Sequence, residues 1–180
     1  EQPKSFSPND IREEKIKLLK SIKPINKNYF ESHTFRAQYS AGEIKGEGKV
    51  DGYLNEVGNQ DSITETYAAV KIFIDTPRWK GVPIYLRTAK RLCGSGTNIS
   101  VKFKNGDSLI GDNNNWIVFN IQPKESTSIE ITTKTPGLNE NDLRTTNLEG
   151  LNRIDGDESI DAYETLMLDL ISGNQSRFLH

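Results

Sequence analysis

The chain has 180 residues, of which 34% are hydrophobic and 27% charged, with a formal net charge of -2. A charge balance this close to neutral argues against a nucleic-acid binder, which carries a basic excess on one face. No apolar run approaches the roughly 20 residues that span a bilayer, and no charged-then-apolar leader opens the chain. The mean hydropathy of -0.64 marks a polar chain with a modest core. The single cysteine, Cys93, excludes an internal disulfide and a cysteine-based zinc cluster. It fits a reducing, cytoplasmic setting.

Ser7-Pro8-Asn9-Asp10 reads as a helix start, with a capping hydroxyl, a proline at the first helical position and an acid for the dipole. Ile11, Lys15, Leu18, Leu19 and Ile22 fall on one face, so a helix is predicted over residues 8–23, ending before Pro24. Thr34 to Tyr39 is a predicted strand, followed by a turn-rich loop with Gly42, Gly46, Gly48 and Gly52. From residue 64 the pattern becomes period two. Val70, Ile72 and Ile74 oppose Lys71, Phe73 and Asp75; Ile99, Val101 and Phe103 oppose Ser100, Lys102 and Lys104. Ile129, Ile131 and Thr133 alternate with Glu130, Thr132 and Lys134, and Pro136-Gly137 ends the last long strand. Trp116 to Ile121 reads as a strand covered on both faces, and Asn105-Gly106-Asp107 as a turn. Ile160, Tyr163, Leu166, Met167, Leu170 and Ile171 recur at helical spacing, with Gly173 as the C-cap. The fold predicted is α+β: one domain over residues 1–180, with a large, mostly antiparallel β-sheet over about 34–146 and helices packed on one side. The C-terminal helix is expected over about 159–172.

Few constellations suggest chemistry. Asp155-Gly156-Asp157-Glu158 fails the calcium-loop template and reads as a helix start. His33 and His180 have no triad partners, and no metal site is expected. Neither G-x-G-x-x-G nor G-x-x-x-x-G-K-[ST] occurs, so the chain carries no nucleotide-binding fingerprint. The exception is Arg78-Trp79-Lys80-Gly81-Val82-Pro83-Ile84-Tyr85-Leu86-Arg87-Thr88-Ala89-Lys90. It sets a buried-strand run before two cations three residues apart, and cations at a strand end suit a phosphate.

That string resembles the R-W-x-G-V-P-x-x-L-R-x-x-K signature of glucose-6-phosphate dehydrogenase. The likeness extends in order along almost the whole chain. Ile11-Arg12-Glu13-Glu14-Lys15 resembles the family's V-R-x-E-K helix, and Thr66-Tyr67-Ala68-Ala69-Val70 its T-[FY]-A-A-[VL] strand. Ile121-Gln122-Pro123 resembles its [IV]-Q-P turn, Thr133-Lys134-Thr135-Pro136-Gly137 its T-K-x-P-G, and Asp161-Ala162-Tyr163-Glu164-Thr165-Leu166 its D-A-Y-E-x-L. Ala37-Gln38-Tyr39 and Gly52-Tyr53 match its G-Q-Y and G-Y in part.

The resemblance implies the C-terminal, substrate-side and dimerisation domain of an NADP-dependent enzyme. Such an enzyme oxidises glucose 6-phosphate to 6-phosphogluconolactone in the oxidative pentose phosphate pathway. It implies that Lys90 contacts the sugar phosphate, and it places Gln122 on the substrate side. An ungapped count puts Ser95 where the family has a second substrate-facing cation. Arg87 and Lys134 match two positions that hold a structural NADP in eukaryotic members. Asn120 stands where those members have an arginine, and their C-terminal basic residues have no counterpart. The family's R-I-D-H-Y-L-G-K motif, with its catalytic histidine, and its Rossmann glycines do not occur. No catalytic residue is therefore assigned here, and the chain is expected to be an excised domain that is inactive alone and binds no cofactor. A homodimer through the sheet is expected, on the side bearing Lys71, Phe73, Lys102, Lys104, Glu130 and Lys134. The alternative is a stand-alone, non-catalytic sugar-phosphate-binding or protein-interaction module.

Overall fold

A computed structural model describes residues 1–44, 46–92, 94–104, 115–137, 142–151 and 161–178. It contains nine strands and four helices among these residues, and every strand pairing is antiparallel. The chain divides into two compact units, residues 1–93 with 160–180 and residues 94–159. The α+β expectation holds. The strands form three separately hydrogen-bonded sheets where one large sheet was expected.

In the first unit, helix α1 spans Pro8–Lys20. Ser7 caps it, its hydroxyl accepting from the Asp10 N–H at 3.2 Å. The helix ends three residues earlier than its apolar spacing predicts. Residues 21–23 are taken by the sheet instead: Ile22 bridges Ile74, Lys23 N–H donates to Phe73 O at 2.9 Å, and Asp75 N–H donates to Ser21 O at 2.8 Å. A short turn at Lys27–Tyr29 leads to α2 (Phe30–His33) and β1 (Thr34–Ala37). The glycine-rich loop is a hairpin, β2 (Gly42–Ile44) with β3 (Gly48–Val50), followed by α3 (Tyr53–Glu56). Strands β4 (Tyr67–Ile72) and β5 (Ile84–Ala89) complete a sheet in the order β1-β4-β5. Val70 pairs with Leu86 and Ile72 with Ile84, and Ile74 continues the same side. Ile74 is the one apolar side chain buried among the described residues, at 7% exposure.

Helix α4 (Ala162–Ser172) also belongs to this unit. The Asp161 carboxylate accepts from the Tyr163 N–H at 2.8 Å, and Gly173 closes the helix at φ +69°, a left-handed position that suits glycine. The acids at 155, 157 and 158 lie outside the described residues. The segment after α4 ties back to α1: Lys15 Nζ donates to Ser176 O at 2.7 Å, and Arg12 donates to the Gln175 side chain. The apolar faces of both helices stay open, with Leu18, Leu19, Met167, Leu168 and Ile171 exposed.

The second unit is a four-stranded meander: β6 (Thr97–Lys102), β7 (Trp116–Gln122), β8 (Ser126–Lys134) and β9 (Leu143–Leu151). Strand β9 was not expected, because the sequence places the last long strand before Pro136-Gly137. Leu-Arg-Thr-Thr-Asn-Leu-Glu-Gly-Leu lacks alternating apolar residues; its pairing with β8, residue for residue over nine positions, is what makes it a strand. The register puts Ile99, Val101, Ile117, Phe119, Ile129 and Leu148 on one face. Lys102, Glu130 and Lys134 lie on the other, as their alternation predicts. The polar face holds buried Ser126 and Ser128, whereas Ile99, Phe119 and Leu148 on the apolar face are exposed. Strand β7 is correspondingly open on one side, against the expectation of cover on both. The predicted turn at 105–107 and Cys93 lie outside the described residues.

Candidate functional site

Lys90 follows the last residue of β5. Its N–H donates to Thr66 O at 2.8 Å, continuing the register in which Tyr67 faces Ala89. The ladder therefore fixes the Lys90 backbone, while its side chain is exposed. Among the described residues no carboxylate pairs with its ammonium. An ordered backbone carrying an unpaired, solvated cation can meet an anion without first breaking an ion pair.

Arg87 belongs elsewhere. It pairs with Ala69, and strand alternation sends it to the face of Tyr85 and Ala89, opposite Thr88 and Lys90. The two cations read together in the sequence do not converge on one phosphate. Lys71 is a third cation on the Arg87 face, its Nζ 5.4 Å from the centre of the Phe73 ring and 6.0 Å from that of Tyr85.

In the second unit, Gln122 pairs with Thr97, two residues after Ser95 in the chain. A Cβ on Gly96 would lie 3.2 Å from Gln122 O, so glycine there permits the close approach. Lys134 closes the far end of β8. Along the strands it lies roughly 30 Å from Gln122, at about 3.3 Å per residue. It cannot share a small ligand with Ser95 and Gln122.

A cluster beside Lys90 was not singled out from the sequence. Arg91 adopts φ +54°, and its guanidinium is forked between two carboxylates: Nη1 to Glu47 Oε2 and Nη2 to Glu56 Oε1, both at 2.7 Å. The other Glu56 oxygen accepts from the Tyr39 hydroxyl at 2.5 Å. Glu56 holds the Tyr39 phenol above its ordinary range by accepting that hydrogen bond, with burial adding to the effect. Glu56 likewise raises Arg91, followed by Tyr39. Glu47, Glu56 and Tyr39 come from the β2–β3 turn, α3 and the segment just after β1, so only the folded chain assembles them. The one signal in the sequence was that Arg91 adjoins Lys90.

A family model described as "Glucose-6-phosphate dehydrogenase, C-terminal domain" matches residues 1–180. The chain belongs to that family. It is 39% identical over 183 residues to the glucose-6-phosphate 1-dehydrogenase of Gluconobacter oxydans, covering 99% of this chain and 37% of the relative. It is 38% identical over 187 residues to that of Dickeya dadantii, covering 98% of this chain and 38% of the relative. A solved glucose-6-phosphate dehydrogenase in complex with its substrate glucose-6-phosphate superposes with a TM-score of 0.81 at 33% identity, over 100% of this chain and 37% of that one. The Mycobacterium avium enzyme shares the fold, with a TM-score of 0.71 at 23% identity, over 98% of this chain and 35% of that one. The resemblance read from the sequence is thus correct, and the chain spans a little over a third of the length of the relatives it matches.

Among the described residues, neither of the two longer helices presents a free N-terminus of the kind that holds a dinucleotide pyrophosphate. A dinucleotide pyrophosphate sits on a free helix N-terminus after a glycine loop. The first turns of α1 and α4 are instead capped by Ser7 and by the carboxylate of Asp161, and the latter repels phosphate.

Proposed function

We propose that this chain is the substrate-side and assembly domain of an NADP-dependent glucose-6-phosphate dehydrogenase in which Lys90 Nζ donates charge-assisted hydrogen bonds to the phosphate of glucose 6-phosphate. The observation that carries this reading is Lys90 itself. It is an exposed cation, without a carboxylate partner among the described residues, on a backbone pinned by the sheet, inside the string most specific to the family. The name shared by the relatives favours a dehydrogenase over a stand-alone binding module. The cofactor supplies hydride acceptance from C1 of the sugar, and the proton is removed by a base outside this chain. Lys90 orients the substrate by its phosphate end. Ser95 and Gln122, both near the end of β6 and β7 where Thr97 pairs with Gln122, form a second, uncharged substrate contact. Arg87 and Lys134 contribute positive surface facing nucleotide phosphates, each separately. The 180 residues serve as one domain of a homodimeric, cytoplasmic enzyme.

The experiment uses the longer polypeptide that carries this chain. Lys90→Ala should raise KM for glucose 6-phosphate and lower kcat/KM by about 1.5–3 kcal/mol, the scale of a charged hydrogen bond. Unchanged kinetics would remove Lys90 from the site. The isolated 180 residues should give no NADPH from glucose 6-phosphate; turnover by the purified chain would refute the division of labour.

A further inference from the structure

Arg91 is the one non-glycine residue among those described with a positive φ, at +54°. Side chains rarely occupy that region, and they persist there where surrounding contacts over-determine them. The contacts here are the two carboxylates at 2.7 Å, from Glu47 and Glu56, with Tyr39 completing the second. Both terminal nitrogens of the guanidinium are paired with carboxylates. Two adjacent cations are thus treated in opposite ways: Arg91 is locked and neutralised, Lys90 is open and uncompensated.

The lock bears on Lys90 directly. On one side the Lys90 backbone is held by its N–H to Thr66 O at 2.8 Å, and on the other by the left-handed residue that follows. Because the clamp holds Arg91 through its side chain, the peptide that joins Lys90 to Arg91 is fixed at both ends. We infer that Arg91 is a positioning residue: clamped by Glu47 and Glu56, it sets the direction in which the Lys90 side chain leaves the sheet toward the substrate phosphate. This rests on the reading of Lys90 as the phosphate ligand. The rival account is purely electrostatic: without Arg91 the two carboxylates would face an incoming phosphate dianion as bare negative charge, a loss that does not pass through Lys90.

The test is steady-state kinetics of the longer enzyme, with inorganic phosphate as a competitive probe of the anion site. Arg91→Ala should raise KM for glucose 6-phosphate and the inhibition constant of phosphate by about five- to tenfold, roughly half the effect of one charged hydrogen bond. At saturating substrate kcat should hold, as should KM for the cofactor. The double variant Lys90→Ala/Arg91→Ala should bind sugar phosphate no worse than Lys90→Ala, because a residue acting through another adds nothing once that one is gone. Glu56→Gln separates positioning from charge. It weakens the clamp yet removes a negative charge, so positioning predicts weaker phosphate binding and repulsion alone predicts tighter. Arg91→Lys, which keeps the charge but cannot fork, should fall between wild type and Arg91→Ala, and it serves with Glu56→Gln if the alanine variant does not fold.

Multiplicative losses in the double variant would overturn the inference, as would tighter phosphate binding by Glu56→Gln. Normal kinetics of Arg91→Ala beside an impaired Lys90→Ala would overturn the positioning role alone and leave Lys90 as the ligand. Normal kinetics of Lys90→Ala would overturn both.

Discussion

Asp169 shows how one side chain closes the end of an element. It is 6% exposed, yet both oxygens are used: Oδ1 accepts from Asn174 Nδ2 at 3.0 Å and Oδ2 from Arg177 Nη1 at 2.5 Å. Removing a buried acceptor leaves its donors unmatched. Because Arg177 is half exposed, Asp169→Ala should cost about 1–2 kcal/mol, below the full value for a buried charged pair. Urea unfolding measures it, and Asp169→Asn should lose less because it keeps one acceptor. Tyr39 makes a pH-dependent contribution. Its folded pKa is raised above 10.0 by the hydrogen bond to Glu56. The protonated phenol is therefore the form the fold favours: its contribution is complete below the unfolded value and is lost as pH rises through the folded one. Tyr39→Phe should be less stable than wild type near neutral pH, and the gap between them should close above about pH 10, read from urea midpoints across that range. A gap that stays constant would remove the Glu56 contact as its cause.

Among elements, α1 and α4 are held at their ends more than along their lengths. α1 buries no residue, so its capping hydrogen bond carries unusual weight. Ser7→Ala should destabilise it by about 1 kcal/mol. At the end of α4, Gly173→Ala should cost about 1–2 kcal/mol, since φ +69° strains the backbone of a residue that carries a Cβ. Amide exchange would localise each loss to its own helix, and a uniform loss across both units would contradict end-capping as the cause. Both caps were legible in the sequence, because capping is a local matter of residue type. The early end of α1 was not, since Ile22 serves the helical spacing and the bridge to Ile74 equally well, and only the competing sheet partner decides.

At the scale of the whole molecule, the open apolar face of the β6–β9 sheet is the dominant feature. Soluble monomers rarely expose a contiguous apolar patch of this kind. The dimer proposed above is best served by this face rather than by the charged face that sequence alternation suggested, because Ile99, Phe119, Ile121 and Leu148 are all exposed. A two-fold contact burying more than about 1,200 Å² in total is expected. Leu148→Lys should shift light scattering of the longer enzyme from dimer toward monomer while circular dichroism keeps its strand signal. A dimer unaffected by the substitution would place the interface elsewhere.

Residue type and spacing alone determined the α+β class, the helix caps, the faces of β4, β6 and β8, and Lys90 at a strand end, while the resemblance of its motif strings pointed to the family. Each depends on neighbours within a few positions or on a string specific enough to identify by itself. The tertiary structure decided what depends on partners distant in the chain. Strand β9 exists through its pairing with β8, Arg87 and Lys90 are parted by the parity of one ladder, and Gln122 meets Thr97 through the register of β6 and β7. The Arg91 clamp draws on Tyr39, Glu47 and Glu56, up to 52 positions away in the sequence. No local periodicity encodes such a meeting, because the contacts that hold a left-handed arginine come into existence only once the hairpin, α3 and the strand ends have been brought together.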